Sequence, residues 1–353
     1  IETLGDLSNE ELRKFWESLE SVVFDICLEL KTRDNIDTIF PAISHVIVKL
    51  IRLGEFIRAE AINLELWRAG ERVNDRNIQL RAGNFLGFIY FNLFEFDKAQ
   101  QAYVDGLALL GDDLEDQTRR VVYLSNLSMV AAETENLESA TRYAHDALRL
   151  IHTLPPKAFD KASKLTGTPG YDEQRSAAMS NLGALYNEMG TTSDNPGEKE
   201  FLLRRSLRYN YRSSKGRIPR FDRIRSHANK GLSLMHLGKE KDAYELFKRL
   251  DKRCDNDPEL VKIKAWIQGF MAETALFQGK PDLAVRHCHS SLRLAIRSSD
   301  PIRENATMVA VMKPLKAISS KVFQGNSDGQ RFLEEGMPLI QELLDFLECI
   351  LGN

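Results

Sequence analysis

Three asparagines each stand two residues before a small residue, Asn126 before Ser128, Asn181 before Gly183 and Asn229 before Gly231, and Asn84 lies three before Gly87. A carboxamide offers a donor and an acceptor together, so it can pair with a peptide group. Arg225 precedes Asn229 by one helical turn and shares its face, and Arg81 holds the matching place before Gly87. Val122, Met129, Trp266 and Phe270 would add apolar surface beside these groups, although Trp266 reads equally well as a core residue. Three carboxamides at about 0.5–1.5 kcal/mol per net hydrogen bond fall short of the roughly 8 kcal/mol of a micromolar complex. Charge and apolar burial must therefore supply the rest of any binding energy.

A second group of residues is cationic. Arg204, Arg205, Arg208, Arg212, Lys215, Arg217, Arg220, Arg223 and Arg225 fall between residues 204 and 225 with Asp222 as the one acid, and Tyr209, Tyr211 and Phe221 are interleaved. Cations mixed with aromatic rings can follow a phosphate backbone and stack bases. A net charge of −3 argues against a dedicated nucleic-acid protein. The other readings are an acidic protein or peptide partner, or solvated helix flanks paired with acids elsewhere.

Other chemistry finds little support. His287-Cys288-His289 looks like a metal motif, but neighbours on a helix point about 100° apart and do not converge on one ion. Cys288 reads instead as a packed thiol between two surface imidazoles. There is no glycine-rich phosphate loop, zinc-protease motif, nucleophile elbow or calcium loop. Neither an enzymatic activity nor a cofactor nor a metal is expected.

The elements that must position these groups repeat. Asn84-Phe85-Leu86-Gly87 with Tyr90, Ala99 and Tyr103 is one copy of a two-helix unit; others run through Leu127-Ser128, Leu182-Gly183, Gly231 and Ala272, with a weaker first copy at Ile47. Steps between the equivalent positions 47, 87, 128, 183, 231 and 272 are 40, 41, 55, 48 and 41 residues. A period near 40 built from two amphipathic stretches and a tight turn is the signature of an α-solenoid. Gly54, Gly190, Gly238 and Gly279 follow the first stretch of their copies and suit the left-handed position that ends a helix.

The Asn-Leu-Gly, Tyr, Gly and Ala positions resemble those of tetratricopeptide repeats over roughly residues 40–300. The period exceeds that family's usual length of about 34, so the copies are similar to its long-helix variants. These include peptide-sensing regulators of Gram-positive bacteria, kinesin light chains and the repeat regions of bacterial signalling proteins. The resemblance implies an all-α solenoid of about six helix pairs forming one domain over 1–353. The first helix of each pair would line a concave surface, where asparagines in this slot hold the main chain or the terminal carboxylate of an extended peptide. It implies a non-enzymatic adaptor or scaffold that binds a protein or peptide, acidic where it meets the arginines. The alternative is an input module of a larger signalling protein whose output domain lies outside this chain.

The remaining expectations concern composition and ends. With 43% hydrophobic and 28% charged residues and no apolar run of membrane length, a membrane partner is not expected and a cytoplasmic location is. The dispersed Cys27, Cys254, Cys288 and Cys349 fit a reducing compartment. Ile1 stands where an initiator Met would, so the chain is expected to be a portion of a longer one or renumbered. Ser8-Asn9-Glu10-Glu11 forms a capping box that opens a helix in the N-terminal capping region 1–40. Insertions at 155–170 and 191–197 read as loops. Two helices after residue 300 act as a cap, a homodimer surface or a connector.

Overall fold

The computed structural model describes residues 56–159 and 170–297, apart from 217, 256, 258 and 259, together with scattered positions between 22 and 51. The N-terminal capping helix, Gly54, Arg217, the centre of the first insertion, Cys27, Cys349 and the helices expected after residue 300 lie outside these residues. The chain forms two compact units, Ile1–Leu150 and Ile151–Asn353.

In the first unit α1 spans Phe56–Arg72, α2 Arg76–Asn92, α3 Phe96–Leu109 and α4 Leu114–Glu133, and α5, Leu137–Thr153, leads out of it. The second contains α6 (Tyr171–Thr192), α7 (Pro196–Ser213), α8 (Arg220–His236), α9 (Glu240–Arg253), α10 (Val261–Phe277) and α11 (Pro281–Arg297). Consecutive helices pack as pairs, α2 on α3, α6 on α7, α8 on α9 and α10 on α11. First helices of neighbouring pairs also touch, α2 with α4, α6 with α8 and α8 with α10. Both contacts follow from the expected solenoid, in which each repeat buries its apolar stripe only against its neighbours.

Small residues set how closely the paired helices approach. A Cβ on Gly87 would lie 2.5 Å from the ring of Tyr103, and one on Gly231 would collide with the ring of Phe247. Both rings are fully buried, and each anchors an apolar cluster. Tyr103 joins Leu80, Leu86, Tyr90, Tyr123 and Leu127 in the first unit. Phe247 joins Ile224, Met235, Leu250, Ile263 and Ile267 in the second. The α6–α7 pair departs from this arrangement, because Asn210 rather than a ring covers Gly183. Its Nδ2 donates to Ser206 Oγ at 3.2 Å, and Ser206 reaches both the Gly183 carbonyl at 2.6 Å and Ser233 Oγ at 2.7 Å. A buried polar seam thus joins three helices where the α2–α3 and α8–α9 pairs use an aromatic knob.

Two expectations about turns need correction. Gly238 and Gly279 take φ of 74° and 70° between the helices of their pairs, as their spacing implies, but Gly190 lies inside α6. A Cβ there would meet Leu203 at 2.9 Å, so Gly190 serves close packing, and Phe94 and Glu135 occupy the left-handed turn in their copies at φ 60° and 59°. The second insertion is also largely helical. Thr191 and Thr192 end α6, while Asn195 caps α7 by accepting from the Gly197 and Glu198 amides and Pro196 fills its first position. The added length resides in the helices, with α6 at 22 residues and α7 at 18 against 17 for α8 and 14 for α9.

Candidate functional site

The asparagines of the two units have different environments. In the first unit Asn126 Nδ2 donates to Asn84 Oδ1 at 3.0 Å, tying α4 to α2. That bond uses an N–H of Asn126 and the side-chain oxygen of Asn84, and Arg81 lies partly buried on the same helix as Asn84. In the second unit the side chains of Asn181 and Asn229 form no hydrogen bond with described residues, while the Asn229 carbonyl accepts from Ser233 Oγ at 3.0 Å. Arg225 pairs with Asp222 at 3.1 Å, both about a third exposed.

Asn229 opens onto a recess of about 290 Å³ between α6 and α8, lined also by Ala184, Asn187, Glu188, Thr191 and Leu232. Asn187 Oδ1 is buried there without a hydrogen-bond partner. A buried acceptor left unpaired costs about 1–3 kcal/mol, and no described residue supplies this atom with a donor. The Thr191 hydroxyl is spent as a donor on the Glu188 carbonyl at 2.8 Å. Asn187, Glu188 and Thr191 are absent from the expected site, yet the sequence carries a signal for the first. Asn187 lies one turn after Gly183, where other copies hold Phe91, Ala132, Met235 and Leu276.

Trp266 and Phe270 do not line this recess. Both are partly buried against the cluster around Phe247; Phe270 lies 5.6 Å from the Phe247 ring, and Trp266 meets Phe221 edge to face at 6.5 Å. Val122 and Met129 are half-buried on α4.

The arginine-rich stretch is neutralised in part from within. Arg204 bonds Glu200 at 2.6 Å, Arg220 bonds Asp257 at 2.7 Å, and Arg223 donates to the Gly216 carbonyl at 3.3 Å. Arg205 lies 4.3 Å from the Tyr186 ring, which stacks on Tyr209, so this cation is part of the α6–α7 contact. Lys215 sits 4.6 Å from exposed Tyr211, and its hydrogen bond and charge hold that phenol below its ordinary pKa. Arg208 and Arg212 are exposed on α7 and form no ion pair with described residues.

His287 is not the surface imidazole its flanking position suggests. Tyr244 Oη lies 3.0 Å from its Nε2, its Nδ1 is 2.8 Å from Gln268 Oε1, and Gln268 Nε2 donates to Asp251 at 2.8 Å. With the Gln268 amide committed to Asp251, its oxygen must accept, so His287 carries its proton on Nδ1 and takes the Tyr244 hydroxyl on Nε2. Burial lowers the His287 pKa, against a smaller opposing effect of Asp251. Cys288 beside it is fully buried, which pushes its thiol up to about 12. Among the described residues no group of three or more His, Cys, Asp or Glu could hold a metal ion. No described helix is long and apolar enough to cross a membrane.

No protein-family model and no curated protein matches the chain. Among solved structures, TTC0263, a thermophilic TPR protein of Thermus thermophilus, aligns with a TM-score of 0.45 at 16% identity, over 67% of this chain and 98% of its own. BtubC (BKLC) from P. vanneervenii reaches 0.50 at 16% identity, over 67% and 90%. A Rap protein complexed with competence and sporulation factor reaches 0.47 at 13% identity, over 88% and 94%. The paired helices, the small residues beneath their buried rings and the likeness to BtubC show an all-α solenoid fold built from tetratricopeptide-like helix pairs.

Proposed function

We propose that the chain is a non-enzymatic module that binds an extended protein or peptide segment on the face formed by α6 and α8. The observation that carries this reading is the recess at Asn187 and Asn229, where carboxamides on two neighbouring first helices form no side-chain hydrogen bond with described residues. A peptide main chain offers N–H and C=O groups that carboxamides match in both senses. The apolar walls Ala184 and Leu232 add the burial that hydrogen bonds alone do not provide. Asn181, six residues before Asn187 on α6, extends the unengaged amides along the same helix. Exposed Arg208 and Arg212 on α7 offer a second contact, suited to an acidic group of a partner.

Selection of random-sequence dodecapeptides displayed on phage, against the full chain and against the double variant Asn187→Ala/Asn229→Ala, tests this reading. Peptides selected on the intact chain are expected to lose affinity about tenfold or more on the double variant, as two hydrogen bonds imply. Retention within error on a folded double variant would refute it.

A further inference from the structure

We propose that the exposed face of α7, with Lys230 of α8 beside it, is a second interaction surface that takes an acidic protein segment carrying several carboxylates. This rests on the reading of α7 as a second contact and is independent of the recess. Arg208, Tyr211, Arg212 and Lys215 recur at three- and four-residue spacing, so they share one side of α7 and of the turn after it, and all four are exposed. Lys230 reaches the same ring from α8. Its ammonium lies 5.8 Å from the Tyr211 centroid, and that of Lys215 lies 4.6 Å away. Arg208, Arg212, Lys215 and Lys230 form no ion pair with described residues. Lysine and arginine bring donors and no acceptor, so this face offers a ligand N–H groups and positive charge.

The charge balance is the same toward α8 and α9. Burial lowers the pKa of His227, and the three charges that act on it, Lys230, Arg253 at the end of α9 and Arg223 near the start of α8, are all positive. The carboxylates next to these residues in sequence are engaged elsewhere: Asp222 with Arg225, Asp257 with Arg220 and Asp255 with Lys264, while Asp251 accepts from Gln268. On α7 itself Glu200 pairs with Arg204, one turn before Arg208. Like charges gathered in this way repel one another and attract an anion from outside. A nucleic-acid strand fits less well, because it needs open aromatic faces for its bases. The Tyr211 ring is attended by two ammonium groups, and the exposed Phe201 ring has Arg205 at 5.6 Å. The net charge of −3 also repels a long polyanion, whereas a short acidic segment meets only the local field.

Fluorescence anisotropy on the full chain with two labelled probes, decaglutamate and a twenty-nucleotide oligouridine, tests this assignment. Decaglutamate is expected to bind at about 50 mM salt and to weaken about fivefold or more at about 300 mM. Lys215→Glu/Lys230→Glu should weaken it about tenfold and Lys215→Gln/Lys230→Gln about threefold. Lys98→Glu/Lys157→Glu makes the same change of net charge at exposed lysines elsewhere in the chain and should stay within about twofold. Asn187→Ala/Asn229→Ala should leave decaglutamate binding unchanged, which separates this surface from the recess. A loss on that variant would place the anion at the recess and overturn the assignment to α7. An equal loss with the Lys98 and Lys157 pair would reduce the effect to net charge and overturn the site, as would no binding of decaglutamate at low salt. Tighter binding of the oligouridine, lost with Lys215 and Lys230, would overturn the acidic segment in favour of nucleic acid.

Discussion

Asn126 and Asn229 occupy equivalent slots, yet replacing each with alanine should have different consequences. Asn126→Ala removes the bond to Asn84 and is expected to lower stability by about 1 kcal/mol. Asn229→Ala removes a carboxamide that bonds no described residue and should stay within about 0.5 kcal/mol. Urea midpoints decide between them, and equal losses would contradict the distinction. Titration gives a second expectation at this scale. Burial, with help from Lys230, Arg253 and Arg223, holds His227 below its ordinary value of 6.5, and burial does the same for His287. Between the folded value and 6.5 the unfolded chain binds more protons, so stability should fall as pH drops below about 6.5 and be fully present above it. His227→Gln should flatten the change in urea midpoint between pH 7.5 and 5.5; an unchanged slope would show that the histidine does not contribute. The slot of the asparagines was legible in the sequence because glycine and serine mark the same register in each copy. Their bonding was not, because it depends on which residue faces them across the helix contact: Asn84 for Asn126, and a recess for Asn229.

Glycine illustrates the same ambiguity for whole elements. Gly238 has a positive φ and nothing within 4 Å of a would-be Cβ, so Gly238→Ala pays only the backbone cost, about 1 kcal/mol. Glu135 holds the equivalent turn with a side chain, and Glu135→Gly is expected to raise stability by up to about 1 kcal/mol. Gly231→Ala forces a methyl into the Phe247 ring and should cost about 1–3 kcal/mol. Thermal or urea unfolding ranks the three, and a destabilising Glu135→Gly would contradict the strain assigned to that turn. Spacing alone correctly placed Gly238 and Gly279 but not Gly190, since one residue type serves both a left-handed turn and a close helix contact. The Asn195-Pro196-Gly197 run was read as a loop for a similar reason: a capping Asn and a first-position Pro also begin helices.

At the scale of the whole molecule, periodicity was enough to give the helix pairs, because a repeat that buries its apolar stripe only on its neighbours leaves a regular trace in sequence. The proposed binding face needed coordinates, since it depends on which polar atoms remain unpaired after the pairs have packed. The two surfaces proposed to meet a partner, the α6–α8 recess and the exposed arginines of α7, differ in chemistry as well as position. Hydrogen–deuterium exchange of the full chain with a selected peptide separates them most directly. Protection is expected at residues 184–191 and 229–232, around the recess. Protection confined to residues 201–215 on α7 would contradict the proposed binding face.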